Sequence, residues 1–97
     1  MAGPAARLLR AARALRRALR AQDLDGAAAA QRDVDGRLAE LRDRGVSSDR
    51  ERRWGRLAER ALAGCEREVR AQQSRIRAEL DRMTEGARVA TRYQEHR

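Results

Sequence analysis

SDRERRWGRLAERALAGCEREVRAQQSRIRAELDRM, residues 48–83, sets an apolar or small side chain at every third or fourth position and charge nearly everywhere else. Trp54, Ala58, Ala61, Cys65, Val69, Gln72, Ile76, Leu80 and Met83 form one stripe, extended by Ala87 and Ala90 and widened near its start by Leu57 and Leu62. That recurrence argues for an amphipathic helix. Ser48 with Glu51 three residues on has capping-box spacing and marks the start. From Val69 to Met83 the steps run three, four, four, three, one departure from a strict heptad that relaxes any supercoil. Gly86 is expected to end or kink the helix. The reading is a long helix over about 49–85 and a short tail helix over 87–94.

Upstream, Gly45 follows Arg42 and Arg44, which gives a glycine stop after positive charge in a last helical turn. The helix that ends there is expected over about 24–44, on the stripe Leu24, Ala27, Gln31, Val34, Leu38 and Leu41. The first helix should open at Pro4, whose fixed φ suits the first helical position, and run over about 4–22. Its stripe is Leu8, Ala12, Leu15 and Leu19, with Leu9 beside it. Carried forward, that rhythm would place Gln22, Gly26, Ala29, Asp33 and Gly36 on the seam, which is poor. The phase jumps by two residues, so a corner is expected across Gln22–Gly26, with Asp23 or Asp25 capping the new start. One long helix with a wrapping stripe is the alternative. The whole is an all-α chain: a small antiparallel helical bundle or hairpin of three helices, two shorter and one long, closed at the Arg44–Ser48 loop. Residues 1–97 are read as one domain.

Such a bundle has little to bury. The 97 residues hold ten Leu, four Val, one Ile and no Phe, against twenty Ala. This large-aliphatic share of about 15% lies below the level that flags disorder at high net charge. Alanine favours helix but adds little core, so a partner is expected to complete the apolar stripe. All 23 basic residues are Arg, for a net charge of +8. Residues 1–22 carry six of them, Arg7, Arg10, Arg13, Arg16, Arg17 and Arg20, and no acid. The acid-free start resembles a transit peptide but has no Ser and flows on into helix, so a bundle helix is the preferred reading. A single cysteine, Cys65, excludes an internal disulfide and points to a reducing compartment. No apolar run reaches the roughly 18 residues of a membrane span.

Chemistry of the catalytic kind finds no footing. His96 is the only histidine, close to the end and read as solvated. Asp23 with Asp25, and Asp33 with Asp35, are two apart and diverge on a helix. No phosphate loop, metal-ligand spacing or nucleophile–base set is present, so no enzyme, cofactor or metal is expected. Cys65 reads as a small buried side chain, and Trp54 as a cap on the core. The Arg face of the first helix could neutralise phosphates, but no aromatic interleaves it. It could lie on an anionic membrane, but no Trp or Phe marks its apolar side. Both readings rank below a solvated bundle face, with an acidic protein partner as a further option.

Leu15 to Leu24, LRRALRAQDL, is followed by Val34-Asp35-Gly36-Arg37-Leu38, Leu41 and Gly45. A capped long helix then closes on Ile76-Arg77-Ala78-Glu79-Leu80, Met83, Gly86, Arg88 and Tyr93. This order resembles the FliT/FlgN-type flagellar export chaperones, short all-helical proteins. The resemblance implies a cytoplasmic chaperone that keeps a filament-cap or hook-associated subunit unassembled and delivers it for export. It would bind an amphipathic client helix in a groove. Candidate groove residues are Val69, Ile76, Leu80, Met83 and Tyr93. A structural coiled-coil homodimer, and an accessory nucleic-acid binder acting through the Arg face, are the alternatives.

Overall fold

Pro4 opens the first helix, as its locked φ allows. A computed structural model describes residues 3–95 and contains three helices, α1 (Pro4–Arg20), α2 (Leu24–Arg44) and α3 (Asp49–Glu95). His96 lies outside the described residues.

The α1–α2 corner falls where the stripe loses phase. The helix stops at Arg20, two residues short of expectation. Ala21 caps it, and Gln22 takes the left-handed conformation at φ 56°. Asp23 then starts α2, its carboxylate accepting from the Gly26 N–H at 3.0 Å. Two residues folded into a turn absorb the two-residue phase jump. α2 ends at Gly45, φ 71° and ψ −172°, a conformation reserved for glycine. Ser48 Oγ accepts from the Glu51 N–H at 3.2 Å and so caps α3.

Glu51 does not complete the capping box. Its carboxylate accepts instead from the Ala5 N–H of α1 at 3.2 Å. An unsatisfied donor at the positive end of α1 thereby gains an anion from another helix. Further along, the Cys65 thiol donates to the Ala12 carbonyl at 3.5 Å, and Gln72 Nε2 to the Leu19 carbonyl at 2.5 Å. These three contacts advance together along both helices, so α3 runs parallel to α1. α2 runs antiparallel to α1, as the ion pair from Arg7 near the start of α1 to Glu40 near the end of α2 requires.

α1 is therefore the middle element. Both α2 and α3 pack on it, and they do not pack on each other. The three expected helices are present, but α3, after the Arg44–Ser48 loop, returns beside α1 and does not pack against α2 as a closed hairpin would require. The buried core is Leu8, Leu9, Ala11, Leu15, Val34, Ala58 and Cys65, joined by the fully covered Ala5 and Ala12. Small residues at the α1–α3 contact let the backbones approach closely. Leu24, expected on the α2 stripe, is the first residue of that helix and points into solvent.

No break occurs at Gly86. The expected tail helix, 87–94, is the last part of a continuous α3. A helical glycine costs about 1 kcal/mol relative to alanine, and neighbouring Glu85, Ala87 and Arg88 favour helix strongly enough to carry the chain through. The molecule measures 74 × 22 × 20 Å, its length set by α3.

The corner residues make opposite predictions. Gln22→Gly should raise stability by about 0.5–1 kcal/mol, because it removes a left-handed non-glycine residue. Gly45→Ala should lower it by about 1–3 kcal/mol. Shifts of the urea midpoint in these opposite directions would check both.

Candidate functional site

Because α2 and α3 flank α1 without meeting, a groove of about 670 Å³ opens between them. Leu15 and Leu19 of α1 form its floor. Ala27, Gln31 and Leu38 of α2 make one wall, and Leu62, Glu66 and Val69 of α3 make the other. This is where a fourth helix would stand in a four-helix bundle.

The groove wall includes Val69, which also belongs to the stripe that continues along the unaccompanied half of α3. The Gln72–Leu19 bond marks the end of α1, beyond which residues 73–95 extend roughly 35 Å at 1.5 Å per residue. At about 100° per residue, Ile76, Leu80, Met83 and Ala87 stay within the same sector of roughly 60° as Ala58 and Cys65, which pack on α1. The stripe continues, but its cover does not. Val69 is 37% exposed, Ile76 59%, Leu80 56% and Met83 64%. Four of the five candidate groove residues thus form one track. Tyr93 stands about a third of a turn away, beside Gly86 and Val89 on a separate shallow patch, and does not belong to it.

Six arginines on the first helix do not form one face. Arg7 reaches across to Glu40 of α2, and Arg16 lays its guanidinium against Gly64 of α3, with its Nε buried. Arg10, Arg13, Arg17 and Arg20 remain exposed. They make a ridge on the back of α1, roughly half a turn from the groove floor. Arg50, Trp54 and the Ser47–Ser48 loop meet this ridge at a cleft also lined by Arg10 and Arg13. Arg50 and Arg53 of α3 were not legible as part of the basic face, since only the parallel return of α3 brings them there.

Glu40 binds the other side of α1. It pairs with Arg7, with Arg37 at 3.2 Å and with Arg44 at 3.9 Å. Partial burial pushes its carboxyl up, but the hydrogen bonds from Arg37 and Arg7 and the nearby positive charges outweigh that and hold it below the usual 4.5. Cys65 is the reverse case. Burial pushes its thiol above the usual 9.0 despite the pull of Arg16, so it packs as a neutral side chain. Among the described residues no group of three or more His, Cys, Asp or Glu is placed to hold a metal ion, and no helix is long and apolar enough to cross a membrane.

The depressed Glu40 value sets a pH dependence. Its contribution is complete above the ordinary carboxylate value and is lost as pH falls through the lower, folded one. Glu40→Gln should therefore lower Tm near neutrality, and the two proteins should converge in strong acid, as read by thermal melts across pH. Comparison with known protein families, with curated proteins and with solved structures returned no match, so the geometry alone describes this site.

Proposed function

We propose that this chain is a small helical chaperone or adaptor that holds one amphipathic helix of a protein client along its groove and the exposed half of α3. The observation that carries the reading is the continuity of a single stripe. The sector of α3 that packs on α1 continues past the end of α1 with large apolar residues that, among the described residues, no other helix covers. An isolated helix gains most of its stability from packing an apolar face, so a segment built this way gains most by acquiring a partner. Each large side chain buried fully on the track is worth roughly 1.5–3 kcal/mol. Together Val69, Ile76, Leu80 and Met83 could hold a client helix in a releasable complex.

The likeness of Ile76–Leu80, Met83 and Arg88 to the tail of FliT/FlgN-type chaperones supports a cytoplasmic export role with a filament-cap or hook-associated client. A second reading has its own observation. Measured outward from residue 78, the exposed stripe reads 76, 72, 69 in one direction and 80, 83, 87 in the other, offsets that match to within one residue. Two α3 helices could therefore pair antiparallel in a homodimer.

Sedimentation separates the two readings. The client reading expects a monomer at micromolar concentration. A stable dimer that Leu80→Asp dissociates would assign the track to self-association instead. For the monomer, a peptide carrying the terminal amphipathic helix of a filament-cap or hook-associated subunit should bind with a micromolar or tighter Kd. Ile76→Asp with Leu80→Asp should weaken it at least tenfold without loss of helicity, since both positions are already exposed. Binding unchanged by the pair would remove the groove assignment.

A further inference from the structure

The client track leaves the back of α1 unexplained. Arg10, Arg13, Arg17 and Arg20 are exposed there, spaced three, four and three residues apart along about 15 Å of helix. Arg50 and Arg53 of α3 add to the same side at one end. Among the described residues none of these six guanidinium groups has an ion pair, although Arg7, Arg37, Arg44, Arg52 and Arg75 all do. The one acid lining the cleft, Glu51, is already committed to the Ala5 N–H.

The aromatic group that α1 lacks comes from elsewhere in the fold. Trp54 is half-buried. One part of its ring packs against the core, and the rest lines two adjoining concavities, one with Arg10, Arg13 and Arg50, the other with Arg50, Arg53 and Leu57. A row of unpaired guanidinium groups leading to a partly open indole matches how single strands are held. Arginines track the phosphates, and an aromatic ring stacks an unpaired base. We propose that the back of α1, with Trp54, binds single-stranded nucleic acid over a short site on the order of four to six nucleotides.

A duplex is a poorer fit, since its bases are stacked on each other and offer none to Trp54. An acidic peptide would satisfy the arginines but leave the indole unused. A membrane surface would need more apolar area than Trp54 and Leu57 provide.

Trp54 is the only tryptophan, so its fluorescence reports directly on the cleft. A fifteen-nucleotide oligo(dT) should quench it, and log K should fall against log salt with a slope of about −3 if four phosphates are engaged. By anisotropy of a labelled oligonucleotide, Arg10→Ala with Arg13→Ala should weaken binding at least tenfold. Arg88→Ala with Arg92→Ala, an equal loss of charge on the far half of α3, should change it less than twofold. Trp54→Leu should cost about tenfold and Trp54→Phe much less, with circular dichroism confirming that each variant is folded. Absence of quenching at low salt, or equal weakening by the two arginine pairs, would overturn the proposal. So would polyglutamate or anionic phosphatidylserine vesicles binding as tightly as the oligonucleotide.

Discussion

Contact between α1 and its two neighbours is the constraint on which the rest of the molecule depends. α1 alone touches both other helices, so nearly all burial in the chain passes through it. Alanines at positions 5, 11 and 12 bring the backbones close, and Leu8, Leu9 and Leu15 fill what remains. The ties around it are polar and specific: Glu51 at its first turn, the Cys65 thiol at its middle, Gln72 at its last carbonyls. On the other side Arg7 and Glu40 hold α2. A sparse core can be unique in this way because its register is set by hydrogen bonds at known positions rather than by bulk.

Two surfaces follow from having one helix between two that do not meet. The front is an apolar groove that merges with the uncovered stripe of α3. The back is a ridge of guanidinium groups that meets an indole. They lie on opposite sides of α1, so occupancy of one leaves the other sterically open. Chemically they differ, one apolar and the other strongly cationic, so the two partners proposed for them do not compete for one surface.

Local signals in the sequence were the most legible. Pro4, Asp23, Gly45 and Ser48 mark helix boundaries because capping involves groups a few residues apart. The stripe of α3 was legible too, since it depends only on periodicity. What could not be read was anything that depends on where the helices go in space. Glu51 had capping-box spacing, yet a donor on α1 competes successfully for its carboxylate. Arg7 and Arg16 looked like members of a basic face until α2 and α3 took them. Gln72, a polar residue on an apolar stripe, carried a faint signal: it sits level with the end of α1 and closes off a carbonyl there. Gly86 misled because a helix-breaking tendency of about 1 kcal/mol is smaller than the combined preference of its neighbours.

The ridge on α1 is built from guanidinium groups throughout, and this restricts how it could be controlled. Arginine stays charged at any pH a cell reaches. The chain contains no lysine, so acetylation of side-chain amines has no substrate here. No protonation step and no lysine-directed enzyme can turn the ridge off. Short of covalent chemistry on the guanidinium groups themselves, the charge of the ridge can be offset only by salt or by a competing anion, so its electrostatic pull is set mainly by what surrounds it.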